Sequence, residues 1–175
     1  MSILVLTGSA RSESYTRHLG AAIAASAAGQ LAPRLTELPF FDQDLEATPP
    51  PAVQALRAQV SAAQTVVIVT PEYNGTIPGL LGNAIDWLSR DFDGQPAVLQ
   101  GKPVVAVAAS PGGVGGVRAL VALRTVLGNA GVDLSDSTLT VAEVHARVSD
   151  GRADADLQVE LDALVAALAQ APLAA

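Results

Sequence analysis

The chain has 175 residues, half of them hydrophobic and only 15% charged, with a formal net charge of −7. That composition excludes a disordered chain, and its acidity disfavours nucleic acid and anionic membranes as partners. There is no Cys and there are two His, which excludes disulfides, thiolate metal sites and a Cys nucleophile and argues against a His-rich metal site.

The N-terminal MSILVLTGSARSE has no basic region before its apolar run. The run is too short for a signal-peptide core or a membrane span. The expectation is one cytoplasmic domain over residues 1–175. Ile3–Leu6 is predicted as a buried strand, ended by the turn GSARSES. Thr16–Ala28 has helical periodicity through Leu19 and Ile23, with Gly29 just past its end. Arg34–Leu38 is predicted as the second strand. Leu38–Pro51 (LPFFDQDLEATPPP) is a loop, because its prolines forbid regular helix. Phe40 and Phe41 there either line a pocket mouth or pin the loop.

Ala52–Ala63 aligns Val53, Leu56 and Val60 as a second helix. Thr65–Val69 (TVVIV) is the third strand, and Gly79–Ser89 the third helix. Leu80, Leu81, Ala84, Ile85 and Leu88 make its inward stripe. Asn83, Trp87 and Arg90 fall on an adjacent face, and Trp87 is expected at a subunit contact in preference to the core edge. Pro103–Ala109 is the fourth strand, followed by a helix over Val117–Ala130 that Gly131 closes. Val132–Val141 is the fifth strand, with Asp133, Ser135 and Asp136 weakening its first half. Asp154–Gln170 is the last helix.

Strands alternating with helices predict an α/β fold with a doubly wound five-stranded parallel sheet in the order 2-1-3-4-5. Near-continuous apolar strands fit burial on both faces. Right-handed crossovers gather the strand-to-helix loops at the carboxyl ends of the strands, where ligands bind. The loops after strands one, three and four come from neighbouring strands, so they should converge.

The first of these loops, GSARSESYT, offers Ser9, Ser12, Ser14, Thr16, Tyr15 and Arg11 at the start of a helix. Hydroxyls, unpaired N–H groups and the helix dipole suit a phosphate, and Arg11 adds a charge-assisted contact. The loop matches neither the Mg-nucleotide P-loop nor the dinucleotide fingerprint. A solvated N-cap turn explains the same residues. The second loop, TPEYNGTIPG, is stiffened by Pro71 and Pro78, while Gly75 permits a positive φ. Its amides can meet the polar edge of a planar heterocycle, with Tyr73 as an apolar wall. The plainer alternative is a rigid turn in which Glu72 and Asn74 cap nearby backbone. The third loop, SPGGVGGVR, leaves little side-chain bulk above the site, although a flexible connector would look the same. Arg118 and Arg124 follow it as solvated helix-face residues or as attractors of a second anionic substrate. His18 and His145 are expected to be structural or exposed. No nucleophile, metal set or general-base pair stands out, so a bound cofactor is expected to carry the chemistry.

With GSARSESYT, LPFFDQDLE, TPEYNGTIPGLLGNAIDWLSR and SPGGVGGVRA in place, the sequence resembles the flavodoxin-like NADPH-dependent FMN reductase family from Ile3 to about Gly131. The resemblance implies an FMN-dependent oxidoreductase with NADPH or NADH as hydride donor. A small-molecule acceptor such as a quinone, free flavin or metal oxyanion would then be reduced by a ping-pong mechanism. It implies that Ser9, Arg11, Ser14, Tyr15 and Thr16 hold the FMN phosphate. It implies that Pro71, Glu72, Tyr73, Asn74 and Gly75 line the isoalloxazine ring, largely through backbone. Ser110, Gly112 and Gly113 would flank its other side. No metal is implied, and a homodimer or homotetramer is. Two positions depart from the family: Thr16 stands where Asn is frequent, and Pro111 removes an amide from the third loop. Two other readings stay open at this point, a flavodoxin-type electron carrier and a phosphate-binding α/β protein without flavin.

Overall fold

Residues 2–170, apart from Asp93 and Asp133, are described by a computed structural model. The elements run β1 (Ile3–Thr7), α1 (Tyr15–Ser26), β2 (Gln30–Leu31), α2 (Pro51–Ala62), β3 (Thr65–Pro71), α3 (Gly79–Leu88), β4 (Val104–Ala109), α4 (Val117–Asn129), β5 (Leu139–Val141), α5 (Val144–Arg147), β6 (Val148–Ser149), β7 (Arg152–Ala153) and α6 (Ala155–Gln170). The main sheet has the order β2-β1-β3-β4-β5 and is parallel throughout. This is the predicted architecture. A small antiparallel β6–β7 ribbon, absent from the sequence-based expectation, precedes α6.

The apolar strands are buried on both faces because successive side chains alternate. Leu4, Leu6, Val66, Ile68, Val104 and Ala106 meet α2, α3 and α4 on one face. Ile3, Val5, Val67, Val69, Val105 and Val107 meet α1 and α6 on the other. With so few aromatics, these two aliphatic layers supply most of the core. Ala106, Ala108 and Ala109 are all but fully buried in β4. Small side chains there let the following backbone approach closely, and a Cβ at Gly116 would sit 3.2 Å from that of Ala108.

The second strand differs from expectation. It is Gln30–Leu31, and Leu35–Glu37 forms a 3₁₀ turn instead of pairing. Gly29 closes α1 with its N–H on the Ala24 carbonyl at 2.8 Å. A Cβ at Gly29 would lie 2.8 Å from the Ile3 carbonyl oxygen, so the chain turns straight onto the edge of β1. Pro33 then removes a donor and ends the pairing. Leu35 is buried through the 3₁₀ turn. The fifth strand is likewise shorter than predicted. Leu134 makes only an isolated bridge to Val104, and regular pairing begins at Leu139. Asp133, part of that prediction, lies outside the described residues.

Trp87 is not at the surface. It is fully buried in a third cluster with Val53 and Phe92. Phe41 packs edge-on at 5.0 Å, and the indole Nε1–H donates to the Pro39 carbonyl at 2.9 Å. The subunit-contact reading fails because the loop after β2 folds over this face of α3. Asn83 completes the anchor, donating to the Pro39 carbonyl at 3.0 Å and accepting from the Phe41 N–H at 2.7 Å. Phe41 therefore pins the loop, whereas Phe40 is 88% exposed.

Candidate functional site: three strand-end loops

Gly8 continues the sheet pairing, donating to the Val69 carbonyl at 2.9 Å, and the chain then turns across the tip of β1. Ser14 caps α1, its hydroxyl accepting the Arg17 N–H at 3.1 Å. The Ser14 and Thr16 hydroxyls lie 2.8 Å apart and are buried. One hydroxyl hydrogen satisfies that contact; the other has no acceptor among the described residues. The Tyr15 and Thr16 N–H groups at the helix start also lack a protein acceptor among the described residues, as expected for the first turn. Arg11 lies over this loop, donating to the Glu13 carbonyl at 3.3 Å with its guanidinium 5.9 Å from the Tyr15 ring centre. The rest of its fork is open to an anion.

Two further arginines near the loop in sequence or structure, Arg34 and Arg17, were missed by the sequence reading. Arg34 donates to the Ala10 carbonyl and so braces the loop from the chain after β2. Arg17, in the first turns of α1, has a buried Nη1 with no hydrogen-bond partner among the described residues. Neither had a local signal, since an isolated Arg beyond the motif looks like any surface residue.

The loop after β3 is a tight hairpin. Tyr73 and Thr76 exchange both backbone hydrogen bonds at 3.0 Å, and the central Asn74 and Gly75 have φ of 53° and 74°. Positive φ at both positions is what an Asn-Gly type I′ turn requires. The stiffness expected from the prolines thus comes equally from Asn74. Tyr73 is 44% exposed, and its hydroxyl comes within 3.4 Å of Ser9 Oγ. Loops one and two therefore meet. Glu72 points away from them, toward α4. Its Oε2 accepts the Arg118 N–H at 3.1 Å, and its Oε1 pairs with Arg118 Nη1 at 3.2 Å.

The glycine-rich loop is braced from behind by the segment after β5. Ser110 donates to the Val141 carbonyl at 3.1 Å, while the Val144 and Glu143 N–H groups return to the Ser110 and Gly112 carbonyls at 3.1 and 3.3 Å. Gly115 sits at φ +62°, and a Cβ there would meet Ala142 N at 3.0 Å. Any side chain would combine a clash with left-handed strain. Gly112 and Gly113 instead border open space: a Cβ at Gly113 would have no neighbour within 4 Å. The rim is rigid at 115–116 and unobstructed at 112–113.

The arrangement joins an anion-accepting helix start, an exposed phenol ring and a side-chain-free rim at adjacent strand tips. The sequence model for the NADPH-dependent FMN reductase family matches residues 1–146. The chain belongs to the NADPH-dependent FMN reductase family. It is 42% identical to a quinone reductase of Pseudomonas putida over 130 residues, covering 72% of this chain and 69% of that protein. It is 33% identical to a 2-hydroxy-1,4-benzoquinone reductase of a Burkholderia species over 159 residues, covering 89% and 84%. The solved structure of FerB, a flavoenzyme NAD(P)H:(acceptor) oxidoreductase from Paracoccus denitrificans, superposes with a TM-score of 0.80 at 29% identity, covering 94% of this chain and 95% of that one.

Membership makes the protein an oxidoreductase with FMN and NAD(P)H as its cofactors, and the residues present fit the flavin. Unspent donors at Tyr15, Thr16 and the Ser14–Thr16 hydroxyl pair suit a phosphate, and Gly112 and Gly113 place no side chain on the rim facing open space. Of the predicted site residues, Ser9 and Tyr73 meet, Arg11 lies over the first loop, and Gly112 and Gly113 form the open part of the rim. Ser14 and Thr16 are buried at the start of α1, and Pro71 ends β3. A separate cleft of about 810 Å³, lined by Thr48, Pro49, Gln54, Arg57, Phe92 and Gln95, lies beside α2 and shares no residue with these loops. Among the described residues no group of three or more His, Cys, Asp or Glu is placed to hold a metal, and no helix is long and apolar enough to cross a membrane.

Proposed function

We propose that the chain acts as a single FMN-binding domain that oxidises NADPH or NADH and reduces a quinone, free flavin or similar small acceptor. The two substrates would use one slot in turn, giving ping-pong kinetics. FMN bound there would take hydride from the nicotinamide and return electrons to the acceptor. The protein's part is to hold and orient. Ser9, Arg11, Ser14, Tyr15 and Thr16 would take the phosphate through hydroxyls, helix-start N–H groups and one guanidinium. Pro71, Glu72, Tyr73, Asn74 and Gly75 would present backbone to one edge of the ring. Ser110, Gly112 and Gly113 would leave its other side open to a stacked substrate. Orientation and exclusion of water, with no acid–base side chain, would account for hydride transfer. A homodimer or homotetramer working in the cytoplasm completes the reading. The quinone reductases among its relatives support the acceptor class.

The observation that carries the proposal is the meeting of loops one and two at Ser9 and Tyr73. Anaerobic mixing with NADPH and NADH in turn, followed by 1,4-benzoquinone, tests it. The expected result is bleaching of the flavin bands by a nicotinamide and their return with the quinone. A protein reduced only by dithionite would instead be an electron carrier, and a colourless protein that cannot be reconstituted would not be a flavoprotein.

Arg11→Ala is expected to weaken FMN binding by about 1.5–3 kcal/mol, the worth of a hydrogen bond to a charged group, or roughly 10- to 150-fold in Kd. Flavin fluorescence quenching by the apoprotein measures it. Unchanged affinity would remove Arg11 from the site.

A further inference from the structure

The β3–β4 ladder ends at the pair Pro71–Ala109. Beyond it the two loops diverge, one forming the Tyr73–Thr76 hairpin and the other the glycine rim. Among the described residues only Glu72 and Arg118 reconnect them by hydrogen bonds. The Glu72 side chain is 11% exposed and that of Arg118 is 69% exposed. The carboxylate does two tasks. It accepts the N–H of Arg118 in the first turn of α4, a helix whose N-cap, Gly116, has no side chain to offer. It also pairs with the guanidinium of the same residue. The Arg118 stem in turn lies over the hairpin, with its Cδ 3.6 Å from where a Cβ of Gly75 would be.

We infer that Glu72 and Arg118 are a positioning clamp that fixes the distance between the hairpin and the glycine rim, and so sets the width of the slot in which nicotinamide and acceptor stack. The inference rests on the proposed shared-slot reaction. It assigns Glu72 through its side chain to α4, and it takes Arg118 out of the role of a free anion receptor. A pair with so exposed an arginine adds little to global stability. Its effect is local, at a place where no other hydrogen bond among the described residues joins the two loops above the sheet.

The competing role makes an opposite prediction. If Arg118 bound the phosphates of the nicotinamide directly, Arg118→Ala would raise the KM for NADPH, while Glu72→Gln would release Arg118 and lower it. A clamp gives the same sign for both. Arg118→Ala and Glu72→Gln are each expected to raise the KM for NADPH and for 1,4-benzoquinone by about three- to tenfold, and the double variant by no more than either alone, as for two halves of one interaction. Arg118→Lys should recover part of the loss, since an ammonium keeps the charge but not the forked geometry.

Hydrogen exchange of the Arg118 amide supplies a readout independent of turnover. It should quicken in Glu72→Ala and stay near wild type in Arg118→Ala, where the N–H bond to Glu72 survives. FMN affinity of the apoprotein, measured in parallel, separates failures. If the wild-type protein binds no FMN or oxidises no NADPH, the shared-slot reading falls, whereas exchange still reports whether the carboxylate holds α4. Additive KM effects, opposite signs for the two single variants, or unchanged exchange in Glu72→Ala would each overturn the clamp.

Discussion

Trp87→Ala is expected to lower the unfolding free energy by about 3–5 kcal/mol, the range for deleting a buried aromatic ring. That is a large share of the roughly 5–15 kcal/mol available to a typical domain. Trp87 is fully buried, packed edge-on between Phe41 at 5.0 Å and Phe92 at 6.0 Å. Alanine would leave a cavity lined by two rings that then face nothing. The loop after β2 would also lose one of its ties to α3, because Trp87 Nε1–H donates to the Pro39 carbonyl. Trp87→Phe separates the two contributions. It keeps an aromatic ring and removes the N–H, and Pro39 keeps its Asn83 donor, so its loss should stay near the ~1 kcal/mol of one ordinary hydrogen bond plus incomplete packing. Urea denaturation followed by circular dichroism gives both values. A loss below about 1 kcal/mol for Trp87→Ala would mean that the ring does not occupy this core.

Arg57→Met should cost about 2–4 kcal/mol in the same measurement, since several carbonyls lose a charged donor at once. Arg57 is 6% exposed, and its fork serves three carbonyls. Nη1 donates to Trp87 at 3.1 Å and to Arg90 at 2.8 Å, and Nη2 donates to Pro96 at 3.3 Å. The Trp87 carbonyl belongs to the last turn of α3, whose final carbonyls have no partner within the helix. Arg57, from α2, is thus a C-terminal cap delivered across the fold. Its guanidinium also lies 4.1 Å from the Phe92 ring centre. Burial pulls its pKa below the ordinary arginine value, and the charge of Asp91 acts in the opposite direction. Arginine's intrinsic pKa is high enough that it stays charged at neutral pH. Methionine preserves the alkyl packing and removes only the fork. The adjacent cleft admits water to the freed carbonyls, which keeps the loss below the sum of three orphaned groups. Arg57→Lys should recover only part, because an ammonium cannot span three carbonyls. A change under about 0.5 kcal/mol for Arg57→Met would show that water replaces the fork without loss.

Both sites lie outside the three strand-end loops, yet each supports the scaffold beneath them. Trp87 anchors the loop after β2, and Arg57 ties α2 to the end of α3, the helix that leaves TPEYNGTIPG. Loss of activity in either variant should therefore track loss of folded protein. Arg11→Ala differs: its effect should appear in flavin affinity while the unfolding curve is little changed.

Much of the layout was legible from local pattern. The runs at Ile3, Thr65 and Pro103 were apolar and β-branched enough to be read as strands, and the segments from Thr16, Ala52, Gly79 and Val117 carried a helical period. The Asn74–Gly75 dipeptide carried its own turn geometry. Where local pattern misled, a distant partner had decided. Arg34–Leu38 looked like a strand, but Gly29 and Pro33 fixed the pairing earlier, against β1. Trp87 looked outward on a helical wheel, but a wheel does not show the loop that folds over it 48 residues away in sequence. In its motif Glu72 reads as lining a ring largely through backbone or as capping nearby backbone, and the structure adds that its carboxylate caps α4 at Arg118, 46 residues on.

The sequence by itself determined the family, through the resemblance of its loop motifs, and the order of the five main strands, together with which loops carry hydroxyls, a stiff turn and bare glycine. The strands, helices and turns follow from periodicity and torsional preference, properties a residue shares with its near neighbours. Only the tertiary structure decided which side chains face the crevice, which lie under it, and what braces the glycine rim from beyond β5. Those outcomes depend on contacts between segments far apart in the chain, and burial and hydrogen-bond partnership at such contacts are set by the packing of whole layers.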